Sequence, residues 1–295
     1  MHRNRYLQLD VFADRPGGGN PLGVVVGAQA WSAAAMQAYA TWTNLVETTF
    51  LLPPTTPQAS YRVRIYTPQR EIPFAGHPTV GSAHAALACG LAAPRGGLLL
   101  QECAAGLLPV RVEGEGPARL LSVRSPAARI LRDGVAAQPL LRPILDGIGL
   151  GRLPPAFVEG GRRWWVAEFA DEATVRGWQP DHAAIAALAR ADDALGLCVY
   201  ARCMQSDYEL VVRAFPAGVG IVEDPASGAA NGLIGALLAQ REPQGALARG
   251  YRVSQGRELG RDARITLRIE GPDAVWVGGR THTVVDGEMQ WPHGA

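Results

Sequence analysis

The chain has 295 residues and a mass of 31.3 kDa, and 47% of its residues are hydrophobic, enough for about two globular cores. A formal net charge of +1, with no run of like charges, leaves no electrostatic footprint for nucleic acid or an anionic membrane, so the expected partner is a small molecule. All 28 basic residues are arginine, and without lysine a pyridoxal-phosphate or Schiff-base mechanism and a Walker A phosphate loop are excluded.

The four cysteines, Cys89, Cys103, Cys198 and Cys203, form no CxxC pair and have no histidine at ligand spacing, so buried reduced thiols and no metal are expected. The N-terminal stretch lacks a signal-peptide core. No apolar run approaches the length of a membrane span, so the expectation is a soluble, cytoplasmic protein.

Tyr6, Leu9, Val11 and Phe12 predict an opening strand, closed by the turn-rich stretch from Arg15 to Pro21 and followed by a strand from Leu22 to Val26. Ser32 predicts the cap of a helix running to about Thr43. From Leu45 to Leu52 the composition becomes β-branched, so Glu47 stands at a helix-to-strand junction. Taken alone, it reads as a surface carboxylate. Tyr61 to Tyr66 alternates as a strand, and Pro78 and Gly90 predict the start and stop of a helix ending near Cys89. Strands at Gly97–Gln101, Leu108–Val112 and Leu120–Val123 complete a first domain over residues 1–125.

Prolines and glycines between Pro126 and Pro155 predict a linker with a short helix. The second domain, residues 126–280, then has strands at Arg163–Phe169, Gly196–Ala201 and Tyr208–Phe215. A helix is predicted over Asp181–Arg190 and another over Pro225–Gln240.

The two halves echo each other. Phe74-Ala75-Gly76-His77-Pro78 and Glu223-Asp224-Pro225-Ala226-Ser227-Gly228-Ala229 both lead small residues into an apolar helix, with His77-Pro78 set against Asp224-Pro225 at an offset of 224 − 77 = 147 residues. Gln101 and Gln255, with the strands after them, repeat at an offset near 154. A duplicated α/β unit follows, with two similar lobes and a ligand cleft between them. A helix N-terminus offers unpaired N–H groups and partial positive charge to an anion, and small residues allow a ligand close to the backbone. Asp224 also fits a plain N-cap, whereas His77 is a poor cap and is either functional or a buried histidine.

At these residues the chain resembles the phenazine biosynthesis-like (PhzF-like) isomerase family. The matching stretches are Asn20-Pro21, Val46-Glu47-Thr48-Thr49-Phe50, Pro73 to Ala83 with its Ala-Gly-His-Pro-Thr core, Glu223 to Gly228, and Gln255-Gly256 with Gly260-Arg261. The resemblance implies an α+β fold of the diaminopimelate epimerase type: two pseudo-symmetric lobes, each a curved mixed sheet around a central helix, with the active site in the cleft. It also implies a homodimer and a last strand, within residues 281–295, that returns to the first lobe. It implies a cofactor-independent isomerase of the dihydro-hydroxyanthranilate type. Glu47 would act as general acid and base, with His77 and Asp224 assisting. The substrate, a small carboxylate, would be bound by Asn20, Gly76, Pro78, Ser227, Gly228 and Ala229.

Two departures stand against the phenazine substrate. Ala229 replaces a serine of phenazine-making relatives, and Val46 replaces the common serine before the glutamate. A non-catalytic small-anion binding protein on the same fold is the alternative. A two-thiol epimerase is disfavoured, because neither helix start contains cysteine.

Overall fold

The computed structural model describes residues 3–203 and 207–292. In chain order the elements are β1 (Arg3–Val11), β2 (Asn20–Val26), α1 (Ala33–Thr43), β3 (Thr48–Leu52), β4 (Tyr61–Tyr66), β5 (Glu71–Ile72), α2 (Gly76–Ala88), β6 (Leu98–Cys103), β7 (Gly106–Glu113) and β8 (Leu120–Arg124). Then come β9 (Arg129–Asp133), α3 (Leu141–Leu145), β10 (Ala156–Gly160), β11 (Arg162–Glu168), α4 (Glu172–Gly177), α5 (His182–Ala191), β12 (Gly196–Arg202) and β13 (Leu210–Phe215). The last are α6 (Gly228–Arg241), β14 (Gly250–Gln255), β15 (Ala263–Ile269), β16 (Val275–Gly279) and β17 (Thr281–Gln290). The fold is mixed α+β. The chain divides into two compact units, Met1–Arg124 with Gly278–Ala295, and Ser125–Val277. Residues 293–295 of the expected returning segment lie outside the described residues.

In the first unit, β17 pairs antiparallel with β1, and the order continues β2, β3, β4, β6, β7, β8. From β1 onward the pairs alternate antiparallel (β1–β2), parallel (β2–β3), antiparallel (β3–β4), parallel (β4–β6), antiparallel (β6–β7). The second unit repeats this series from β10: β10–β11, β11–β12, β12–β13, β13–β14 and β14–β15. Its edge strand β9 lies on β10 as β17 lies on β1. The duplication read from sequence is therefore a duplication of topology.

Each unit is built round a helix buried on nearly all sides. Residues 77–83 of α2 are all buried, and the helix packs on β1 to β4, β6 to β8 and β17. Small residues permit this: a Cβ on Gly81 would come within 2.4 Å of Leu22 Cδ2 and 2.9 Å of Val11 Cγ2. Residues 230–239 of α6 are likewise buried, against β9, β10, β11 and β15. Such helices have no polar face, so they read as apolar runs rather than amphipathic stripes. On the far side of the first sheet, α1 contributes Met36, Tyr39 and Ala40 to a cluster with Trp31, Phe50, Leu52 and Tyr66. The helices α3, α4 and α5 serve the second unit similarly, through Leu141, Val175, Ile185 and Leu188 packed on Trp165, Val199 and Phe215.

The first hairpin, the Ser32 cap and the helix stop at Gly90 lie where the sequence places them. Ser32 Oγ accepts from Ala35 N at 3.1 Å, and Gly90 has φ +69°. Three readings need correction. The supposed linker contains strand β9, whose five residues Arg129–Asp133 alternate too briefly to stand out without their partner β10. The short helix α4, capped by Asp171, was missed. The helix starts are also misplaced: α2 begins at Gly76, putting Pro78 at its third position, and α6 begins at Gly228 rather than Pro225.

Candidate active site

The corrected helix starts reset the internal alignment. Gly228 − Gly76 gives an offset of 152 residues, which sets Pro225 against Pro73, Ser227 against Ala75 and Ala229 against His77. Hydrogen bonding supports this register. Gln101 Nε2 donates to Thr79 Oγ1 at 3.0 Å, and the corresponding Gln255 Oε1 accepts from Asn231 Nδ2 at 2.9 Å. Thr79 and Asn231 are both fourth residues of their helices. The earlier match of His77-Pro78 to Asp224-Pro225 aligned prolines with different jobs: Pro78 sits inside the first turn, whereas Pro225 lies in the approach to the helix.

In the first unit, α1 ends on Asn44 in the left-handed region (φ 54°), and its N–H closes on Ala40 O. Residues Leu45 to Glu47 then lead into β3. The register pairs Thr48 with Gly23 of β2, so Glu47 heads a strand buried along its whole length. Ser82 Oγ of α2 donates to Thr49 Oγ1 at 3.0 Å, tying this strand to the helix that carries His77. The result is a close pair, with Glu47 Oε2 at 3.4 Å from His77 Nε2 and side-chain exposures of 13% and 7%. Burial lowers the His77 pKa from 6.5 to about 3, so the imidazole is neutral at neutral pH. A neutral imidazole against a carboxyl can either donate or accept one hydrogen bond, according to its tautomer and the carboxyl's charge.

The same histidine is the second residue of α2. The helix cap, Ala75, has no side-chain acceptor. Thr79 N closes on Ala75 O at 3.2 Å, while the N–H groups of Gly76 and His77 precede the first turn and Pro78 carries none. Asn20, fully buried, is the first residue of β2 and pairs with Val11.

The second unit holds the other expected residues. Asp224 does not cap α6; its Oδ1 accepts from Ala226 N at 3.1 Å, and the cap is Ser227, whose Oγ accepts from Ala230 N at 3.3 Å. The N–H groups of Gly228 and Ala229 are the counterparts of those of Gly76 and His77. Sequence reasoning gave no role to Arg213, Asn231 or the side-chain amide of Gln255, all of which are buried and bonded here. The signals for Gln255 were its repeat of Gln101 and its place in the Gln255-Gly256 stretch of the family resemblance, neither of which gives the amide a role. The thiols lie elsewhere: Cys89 is the C-cap of α2, at the opposite end from His77, and Cys198 is fully buried in β12. No helix among the described residues is long and apolar enough to cross a membrane.

The family model of phenazine biosynthesis-like proteins matches residues 9–287. The trans-2,3-dihydro-3-hydroxyanthranilate isomerase of Pseudomonas aeruginosa is 32% identical over 273 residues, covering 92% of this chain and 91% of its own. Antisense-enhancing sequence 1 of Schizosaccharomyces pombe is 32% identical over 299 residues, covering 98% and 99%. Among solved structures, a PhzF-family phenazine biosynthesis protein of Bacillus anthracis superposes with a TM-score of 0.84 at 24% identity, covering 98% of this chain and all (100%) of its own, a likeness of fold. A predicted epimerase of Pseudomonas aeruginosa gives 0.76 at 28% identity, with 97% and 99% covered. On these matches, the chain belongs to the phenazine biosynthesis-like (PhzF) family and is an isomerase.

Proposed function

We propose that the protein moves a proton between two carbons of a small, cyclic or amino-acid-like carboxylate, without a cofactor, using Glu47 as the one acid and base. The observation that carries this reading is the buried contact of Glu47 with a neutral His77 at the head of an open-capped helix. As carboxylate, Glu47 takes a proton from a C–H bond, whose electron pair shifts into the adjacent unsaturated system. As carboxylic acid, it returns that proton to a second carbon of the same system, so no atom or electron is gained overall. His77, uncharged, can hydrogen-bond to Glu47 in both protonation states without stabilising one of them as a full counter-charge would.

In this reading the first-turn N–H groups of Gly76 and His77 in one unit, and those of Gly228 and Ala229 in the other, are each carboxylate-binding groups, with Pro78, Ser227 and Asn20 shaping the contacts. Asp224 assists. The substrate named for the Pseudomonas relatives, trans-2,3-dihydro-3-hydroxyanthranilate, is the first compound to try. Ala229 supplies no hydroxyl where a serine could bind such a substrate, which favours a related carboxylate. Cytoplasmic location and a homodimer belong to the same reading, and light scattering on the purified protein tests the dimer.

The decisive measurement is deuterium uptake from heavy water into that compound and related cyclic carboxylates, with the wild type and Glu47→Gln. The expected result is uptake that falls at least a hundredfold in the variant. Equal uptake in both removes Glu47 from the mechanism. Carboxylate binding without uptake in the wild type would make the protein the non-catalytic binder.

A further inference from the structure

The two carboxylates of Glu223-Asp224 have different surroundings. The side chain of Glu223 is only 5% exposed and takes a bidentate pair of hydrogen bonds from Arg213, Nε and Nη2 each at 2.9 Å. Arg213 Nη1 donates to the carbonyls of Val175 and Trp178 at 3.1 and 2.6 Å, and its guanidinium lies 5.1 Å from the ring centre of Phe215. A forked donor held at four hydrogen bonds and one ring has a single orientation.

On its other flank Asp224 is tied by its backbone. Its N–H donates to Ala214 O at 2.9 Å, and its carbonyl accepts from Gln255 Nε2 at 2.8 Å. Gln255 Oε1 meanwhile accepts from Ser227 N at 3.2 Å and Asn231 Nδ2 at 2.9 Å. Only one orientation of that amide serves all three partners. A buried ion pair is weak evidence for stability, since desolvation offsets its attraction. A role in fixing geometry accounts for what stability alone does not.

The first unit contains a built-in comparison. Arg64 and Glu71, five residues before Gly76 as Glu223 is before Gly228, form the same bidentate pair at 2.8 and 2.6 Å, with Arg64 beside the Tyr66 ring. There the side chains are 29% and 35% exposed, and the residue aligned with Asp224 is Ile72. The pair is buried in the half where an ionisable side chain follows it.

We propose that the Arg213–Glu223 pair and the Gln255 amide are positioning residues that fix Asp224 for the reaction. This rests on the reading of Asp224 as an assisting group. The test compares Arg213→Leu, Glu223→Leu and the double Leu variant with the wild type, following thermal stability and the Asp224 carboxyl by carbon-13 NMR titration. Arg64→Leu/Glu71→Leu is the control.

The expected result is that each single variant loses stability, having a buried charge without its partner, and that the double variant recovers most of it. The Asp224 resonance of the double variant moves toward that of an unstructured aspartate, while the control leaves it in place. If the double variant recovers stability with an unchanged Asp224 resonance and titration, the pair is structural only and the proposal falls.

Gln255→Glu covers the case in which the double variant does not fold. It keeps both acceptor bonds but sets a carboxylate oxygen against the Asp224 carbonyl, and protonation restores the donor. Asp224 should be displaced at pH 7 and return as the new carboxyl is protonated; an unmoved Asp224 at pH 7 overturns the role of Gln255. Loss of the Glu47 chemistry in the deuterium assay would leave these NMR outcomes unaffected, so the two claims fail separately.

Discussion

Replacing His77 by Gln removes a titrating group while keeping a polar side chain of similar reach, so it isolates the linkage between that group and folding. Burial lowers the His77 pKa from 6.5 to about 3, whereas a carboxylate 3.4 Å away favours the imidazolium, so the two effects oppose. With burial prevailing, the folded pKa is the depressed one. The histidine's contribution to stability is then complete above pH 6.5 and is lost as the pH falls toward 3, because the unfolded chain takes up a proton that the native protein refuses. At pH 5 the unfolded pKa is exceeded by 1.5 units in acidity, which at about 1.36 kcal/mol per unit amounts to a loss of about 2 kcal/mol. Urea unfolding of the wild type and His77→Gln at pH 7, 6 and 5 measures it as a difference between proteins, cancelling the titrating groups that do not contact His77. The wild type should lose about 2 kcal/mol relative to the variant between pH 7 and 5. A flat difference refutes the buried neutral imidazole. A wild type that gains relative stability in acid would show that the Glu47–His77 ion pair prevails, and with it the neutral partner required for the proton shuttle would be gone.

Two further substitutions probe the helix frames. Ser227→Ala removes the side-chain acceptor for Ala230 N and should cost about 1 kcal/mol in chemical denaturation; no loss would mean that Gln255 alone secures the helix start. Gly81→Ala places a Cβ at 2.4 Å from Leu22 Cδ2 and 2.9 Å from Val11 Cγ2, so these side chains or α2 itself must give way. A cost of about 1–3 kcal/mol is expected, read as a lower unfolding midpoint, and a neutral result would show slack in that packing.

The sequence marked most of what depends on neighbours along the chain. Ser32, Gly90 and the change in composition around Glu47 act within a few residues of themselves, so the hairpin, α1, the end of α2 and the head of β3 were legible. The pairing of Glu47 with His77 entered only through the family resemblance, because local pattern does not carry the β2–β3 register and the Ser82–Thr49 hydrogen bond, both long-range. The helix starts were misplaced by three residues at Pro225 and two at Pro78, since proline suits both a first turn and the segment before it. What fixes the start of α6 is an amide from β14, 255 − 227 = 28 residues away in sequence. Arg213 gave no signal because an arginine in an alternating strand ordinarily reads as a solvated position; its burial depends on carbonyls of α4 and the residue after it.

The return of the last strand to the first sheet bears on how the protein is made. β9 follows the first unit in sequence but pairs in the second, and β17 follows the second but pairs in the first. The first sheet therefore cannot be completed from an unbroken stretch of chain, whereas the second, within Ser125–Val277, can. During synthesis the first unit emerges with the outer edge of β1 open, a template for pairing with another nascent chain, until residues 281–290 are released. The second unit has its β9 in hand from the outset. The half that carries Glu47 and His77 is thus begun first and finished last.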